Sequence, residues 1–474
     1  MSKLNKRKSK DVFSEGIIAG RTTTKAGKYT NEDLLRRVTM ANLLWESTYY
    51  QTADAIQKQM DKLLKLVDPE YIADLAVEIR FEQKLRHTPI YLALALYRDH
   101  RATELCEQTL TKICTRPDMT IDTIAMAKVV LPNIKIKKGR IRNIPNCVKR
   151  GLAKAFNHYD YYQISKYKKT NLEISLVDVV NLCHPKPTQT NEQALHDLVR
   201  DQITPPETWE VGLSQGKDKR KTFIDLIDNK KLGALATLRN LRNMIQAEVP
   251  RGTIIKALTN VKSSMLTPLN FLAAARYAPE YSMHINMAME RSFARYKIPG
   301  TTIIALDVSG SMGALTSKLS DFSRLDLGFA LMALACYIFE DPILVYTAGS
   351  DVRRKGKHMI APTMSGLDMA KDWAKIRGQI GGGGIFNRQL SKWLIDEGHA
   401  KDADRLVVLS DSQDIDAMWN KTQVKADLTP YKTSYIIDIS HHTHGIKTGN
   451  WTAEINGWSD KLFHYIYALE RTKQ

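Results

Sequence analysis

Residues 299–311 read PGTTIIALDVSGS, and residues 405–411 read RLVVLSD. In the first stretch a Pro-Gly pair precedes the run Thr301-Thr302-Ile303-Ile304-Ala305-Leu306, and Gly310 closes it. A short, continuously apolar run bounded by turn residues suits a strand buried on both faces of a parallel sheet. PILVYTAG over 342–349 and KTSYIIDIS over 432–440 repeat the pattern. Leu325 to Phe339 reads as a helix rich in Leu and Ala. Polar and helical material runs up to His399, and LFHYIYALE over 462–470 closes the chain as a helix. Strands alternating with helices over roughly 175 residues predict a doubly wound α/β sheet.

Upstream of Pro299 the periodicity changes. Residues 1–30 are basic and polar and predict a flexible arm. From 31 to 298 the pattern is helical almost throughout. Asp68-Pro69 places a capping oxygen before a proline at the first helical position, where its missing N–H does no harm. Ile72, Leu75, Ala76 and Ile79 then fall on one face. Thr88-Pro89 repeats the device, and Ser175 with Asp178 forms a capping box before Val177, Val179, Val180 and Leu182. Many short helices in series, without evident strands, predict an α-solenoid of stacked helix pairs, although no tight repeat is visible. The divisions expected are therefore 1–30, 31–298 and 299–474.

The chain has 474 residues, 43% of them apolar, enough for more than one core. No apolar stretch approaches the ~20 residues a membrane span needs. The amino terminus MSKLNKRKSKDVFSEG lacks the apolar segment of a secretion signal, which predicts a cytoplasmic protein. Cys106, Cys114, Cys147, Cys183 and Cys336 are scattered and form no CxxC pair, as expected of free thiols in a reducing compartment. The net charge is +18. Residues 1–299 carry 49 Lys and Arg against 31 Asp and Glu, whereas residues 300–474 carry 20 of each. A polyanion-binding part attached to a neutral one has this distribution.

In the neutral part, Asp307, Ser309 and Ser311 sit where the first strand ends, and Asp411 ends the strand RLVVLSD. Ligands of doubly wound sheets bind at the carboxyl ends of strands. A carboxylate and two hydroxyls are hard ligands suited to Mg²⁺ or another divalent cation. The spacing resembles the metal-ion-dependent adhesion site of von Willebrand A domains, an Asp-x-Ser-x-Ser followed by a later Thr and a later Asp. On that resemblance Asp307, Ser309, Ser311 and Asp411 are the metal ligands. The expected Thr is missing, because Gly381-Gly382-Gly383-Gly384 runs straight into Ile385-Phe386. The alternative is that Asp307 and the serines only cap the strand-to-helix turn. The glycine run lacks the GK[ST] of a nucleotide loop.

In the basic part, Lys135, Lys137, Lys138, Arg140 and Arg142 crowd a loop, with Lys149, Arg150 and Lys154 shortly after. Repeated positive charge neutralises phosphates and releases counterions without reading sequence. Phe156, Tyr159, Tyr161, Tyr162 and Tyr167 follow, each a base-stacking ring or a core residue. Lys166, Lys168 and Lys169 offer further cations. His184 precedes Pro185 and Lys186, where a helix must stop, which predicts an exposed imidazole. Arg239 and Arg242 lie three apart on a helix, either meeting phosphate or tying neighbouring helices together.

ISKYKK, SLVDVVNLCHPKP and LGALATLRNLRNM occur here in order, after TNEDLLRRVTMANLLWESTYY and LRHTPIYLAL and before LDVSGSM. This series resembles the Ro (TROVE) family over nearly the whole chain. The resemblance implies a HEAT-like helical ring joined to a von Willebrand A domain. In that family single-stranded ends of misfolded RNA enter the ring and structured Y RNAs bind its basic outer surface. Lys166 and His184 match family positions implicated in RNA binding. The resemblance also implies delivery of RNA to an exoribonuclease such as polynucleotide phosphorylase. The expectation is a monomeric, non-catalytic RNA-binding protein with weak sequence preference and no membrane association. The alternative is a metal-dependent protein-recognition scaffold acting through the A domain. An enzyme built on Asp307 and Asp411 is disfavoured, since the sequence offers no HExxH, nucleophile motif or paired-metal carboxylate cluster.

Overall fold

The computed structural model describes residues 30–41, 53–82, 84–137, 140–168, 173–204, 206, 209–214, 218–263, 266–294, 296–316, 320–362, 366–380, 382–411, 430–439, 451–456 and 461–471. Short helices fill the chain as far as Phe293, and a six-stranded sheet follows. Asp68 caps helix Pro69–Phe81 by accepting from the Glu70 N–H at 2.8 Å. Ser175 and Asp178 form the expected reciprocal box at the start of helix Leu176–Cys183. Caps of this kind are worth about 1 kcal/mol each. At Thr88-Pro89 the expectation is corrected: helix His87–His100 starts at His87, so Thr88 is not the cap, and both residues are buried in its first turn.

The basic segment is not a loop. Strands β1 (Lys135–Lys137) and β2 (Arg140–Arg142) pair antiparallel, Lys135 with Arg142, Ile136 with Ile141 and Lys137 with Arg140. Ile141 packs against the helical core, while Lys135 and Arg142 are exposed. Charge density disguised a period-two alternation that the sequence already carries.

Strands β3 (Ile298–Asp307), β4 (Phe339–Ser350), β5 (Lys355–Ile360), β6 (Arg405–Ser410), β7 (Thr433–Asp438) and β8 (Ala453–Asn456) make one sheet in the order β5-β4-β3-β6-β7-β8. All neighbours are parallel except β4 and β5. The order reverses at β3 and β6, so the crevice beyond their carboxyl ends is the switch point of a doubly wound sheet. Gly300 has φ +85°, and a Cβ there would run into the Asp404 carboxylate. This left-handed residue lets the chain turn into β3 through a bulge between Ile298 and Thr301.

One apolar core lies within residues 35–203. A second joins the helices of residues 223–293 to one face of the sheet, and a third covers the opposite face beneath helix Asn387–Asp396. Helix Arg324–Ile338 is the hub of the second. Its apolar residues are buried all round, between β3 and β4 and helices Pro268–Tyr277 and Ser282–Phe293. Arg276 bonds Asp326 across that junction. At the amino ends of the strands, Arg405 donates to Glu470 Oε1 at 2.8 Å and to Thr302 Oγ1 at 2.7 Å. Thr433 and Tyr435 donate to the same Glu470 carboxylate, which clamps helix Lys461–Arg471 to the sheet. The first described helix, Asn31–Ala41, approaches β8 with Cα atoms within 8 Å. Lys84 Nζ donates to the Leu266 carbonyl at 2.6 Å, linking the first block of helices to the second.

Candidate nucleic-acid interface and cation site

The cations singled out by the sequence fall into two places and a remainder. β2 and helix Asn146–Ala155 both touch helix Leu176–Cys183. Lys135, Arg142, Lys149, His184 and Lys186 therefore belong to neighbouring elements. His184 is exposed at the carboxyl end of its helix in a left-handed conformation, φ +49°, with its N–H on the Val180 carbonyl. Pro185 forces the helix to end there, and His is among the residues that tolerate this region.

The second place is a cleft of about 850 Å³ between the two blocks of helices. Tyr162, Lys166 and Tyr167 line one side, and Trp209, Lys231, Arg239 and the turn Leu232–Ala236 are also in its wall. Lys166 and Arg239, far apart in sequence, thus share one cavity. The Lys166 ammonium stands 5.6 Å from the centre of the Tyr162 ring, and the Arg116 guanidinium 5.5 Å from that of Tyr167. Lys231 and Trp209 were not among the residues chosen from sequence. Neither stands in a motif, and only folding brings them opposite Lys166.

Of the remaining cations, Arg242 is exposed and the others are paired or not fully described. Arg150 and Lys154 both bind Glu107, at 2.6 Å each, so two positive charges share one carboxylate. That pairing holds the Glu107 carboxyl below its usual range. Lys168 pairs with Asp201 at 2.5 Å. Lys137 and Arg140 are placed by their backbone alone, and Lys138 and Lys169 lie outside the described residues. Arg239 and Arg242 are exposed. It is Asn240 and Asn243 that make the local ties, Asn240 to the Ala236 carbonyl at 2.9 Å and Asn243 to Asn240 at 2.8 Å. Of the candidate aromatics, Phe156 and Tyr159 are core residues in edge contact, and Tyr161 bonds Asp197. Leu235 is exposed at the cleft.

The four residues of the proposed metal motif meet beyond the ends of β3 and β6. Asp307 Oδ1 accepts from the Ser309 N–H at 2.8 Å and Oδ2 from the Ser410 hydroxyl at 2.7 Å. Ser309 and Ser311 hydroxyls are 3.2 Å apart, and Ser311 also bonds Asp411. Both carboxyls are fully buried. Burial raises Asp307 above its ordinary range; burial and the neighbouring Asp307 push Asp411 up to about 7. Two buried carboxylates with two hydroxyls are a donor set that a hard cation fits. The sequence did not reveal Arg324, whose buried guanidinium stands 3.4 Å from Asp411 Oδ2 and supplies a positive charge of its own. The glycine run lies beside this cluster: Gly310 N–H donates to the Gly382 carbonyl at 2.9 Å, and a Cβ on Gly310 would lie 2.8 Å from that oxygen. Thr347, beside Asp307 in the β3–β4 register, has its hydroxyl on His358 Nδ1 at 2.9 Å. Among the described residues no group of three or more His, Cys, Asp and Glu is disposed to hold a metal. No described helix is long and apolar enough to cross a membrane.

Comparison with known proteins agrees with this architecture. Residues 198–284 match the TROVE domain family. The crystal structure of the Ro (RSR) protein of Deinococcus radiodurans superposes with a TM-score of 0.55 at 15% identity, over 91% of this chain and 97% of that one. No curated protein sequence matches. The TROVE match takes in the wall of the cleft that carries Trp209, Lys231 and Arg239, and the chain shares the fold of that Ro protein over nearly its full length.

Proposed function

We propose that this protein is a non-catalytic RNA-binding ribonucleoprotein component. In this reading residues 1–30 form a basic arm, 31–298 a HEAT-like ring and 299–474 a von Willebrand A-like domain that joins the ring's ends. Small structured Y-like RNA binds the basic outer surface, and single-stranded ends of misfolded RNA enter the ring. The protein works as a monomer in the cytoplasm and passes bound RNA to an exoribonuclease such as polynucleotide phosphorylase. The carrying observation is a contrast in pairing among the described residues. Lys135, Arg142, Lys149, Lys166, Lys186, Arg239 and Arg242 form no salt bridge there, whereas Arg86, Arg98, Arg116 and Lys128 on the same helical array are each paired with carboxylates. Unneutralised cations in groups bind polyanions through counterion release. Gel-shift titration of a labelled small RNA with an unpaired end is the test. Binding that weakens steeply with salt supports the reading; equal affinity for RNA and for an uncharged polymer removes it.

A second reading rests on the Asp307, Ser309, Ser311 and Asp411 cluster. There the A-like domain binds Mg²⁺ or another divalent cation, which when present offers an open coordination position to an acidic side chain of a protein partner. The chain's own contribution is a preformed oxygen cage, with Ser410 and the Ser309 amide fixing Asp307 and Arg324 steadying Asp411. Protein capture that requires the cation and is lost in Asp307→Ala is its expected signature.

A further inference from the structure

Resting on the RNA-binding reading, the geometry of the cleft points to a seat for one unpaired nucleobase, stacked on the Tyr162 and Trp209 rings while Lys166 and Arg239 meet the flanking phosphates.

The cleft has three properties that a plain phosphate-binding groove does not need. It is lined by three aromatic side chains, two contributed by residues 162–167 and the third by Trp209. Aromatic rings on a basic surface give up apolar burial, so a ligand with a flat face recovers free energy that water cannot. Tyr162 is 45% exposed, and Trp209 is only partly covered, by the core of the second helical block. Among the described residues the lining contains no carboxylate. The third property is room: about 850 Å³ lies within the usual span of ligand cavities, roughly 300–1,000 Å³. Gly233, Ala234 and Ala236 line it beside Leu235, and their small side chains leave that wall flat.

The rings are not equivalent. Arg116 lies over Tyr167, which ties that ring to the first helical block. Lys166 lies over Tyr162 and can follow a phosphate without leaving the cleft. Tyr162 and Trp209 are therefore the stacking pair, and Tyr167 is part of the wall. A paired base inside a duplex cannot offer its face to either ring, so the cleft selects strandedness. Because every base has a π-face, it does so with little regard to sequence. The site thus demands a base as well as a charge.

The test uses the full chain and a short single-stranded RNA, with one abasic nucleotide moved through successive positions. An abasic nucleotide keeps the phosphate charge and removes the ring. At one position its presence is expected to weaken binding about tenfold, the scale of one lost stacked base. Trp209→Ala and Tyr162→Ala are each expected to weaken the intact RNA and to shrink that abasic penalty, and Trp209→Phe to restore it. Tyr162 is exposed enough that its variant keeps the test available if Trp209→Ala lowers the thermal transition. Insensitivity to base loss at every position, with Lys166→Glu or Arg239→Glu still weakening binding, overturns the stacking seat and leaves the RNA reading intact. Absence of any binding in dilute buffer overturns both.

Discussion

His184, Lys166 and Arg239 show how a residue's chemistry and its place in the fold combine. His184 is left-handed at a helix end, where its imidazole is exposed, so a replacement must tolerate φ +49°. Asn does so readily. His184→Asn is expected to weaken RNA binding about tenfold, the scale of one hydrogen bond to a charged group, with an unchanged thermal midpoint. A lowered midpoint with unchanged affinity would make the residue a helix cap and nothing more. At the other site, adding Mg²⁺ well above its dissociation constant is expected to raise the midpoint by roughly 3 °C or more, and Asp307→Ala to abolish the shift. No shift in the wild-type chain would assign charge balance at Asp411 to Arg324 alone. Asp307, Ser309 and Ser311 were legible in sequence because their grouping is local. Asp411 was legible because it ends an apolar strand. Arg324, Trp209 and Lys231 were not, since each meets its site only through long-range packing.

Among elements, those whose burial is one-sided or complete were readable and the marginal ones were not. The central strands β3, β4, β6 and β7 are apolar runs, and all six residues of β6 are buried. β5 is an antiparallel edge strand with alternating Lys and Gly, and β8 has four residues, so neither carries a strong pattern. The β1–β2 ribbon carries its signal in Lys-Ile-Lys and Arg-Ile-Arg, masked by charge. Charge reversal at both Lys135 and Arg142 is expected to weaken RNA binding broadly and to flatten its salt slope by about 0.7–0.9 for each phosphate no longer neutralised. Isothermal titration across a salt series reads both quantities. The sheet's lower edge gives a stability prediction instead. Arg405→Met leaves the half-buried Glu470 without its cation and is expected to cost about 1–3 kcal/mol in chemical denaturation. A loss below about 1 kcal/mol, the scale of an exposed ion pair, would mean that the helix Lys461–Arg471 is held by its apolar face alone.

At the scale of the molecule, charge is segregated and cores are shared. The excess of Lys and Arg lies wholly before residue 300, yet the second half of the helical array buries its apolar side against the sheet. The cleft forms where the first core ends and the second begins, which is why Lys166 and Arg239 meet across it. Helix periodicity announced an array but not this division, because the two halves differ in what they pack against and not in their own pattern. The most direct test of the central claim is the affinity of the full chain for a small RNA with an unpaired end, measured from dilute to physiological salt. A steep linear fall of log affinity with log salt is expected, made shallower by Lys166→Glu with Arg239→Glu. A flat dependence, or identical slopes for the wild-type and doubly substituted chains, would contradict it.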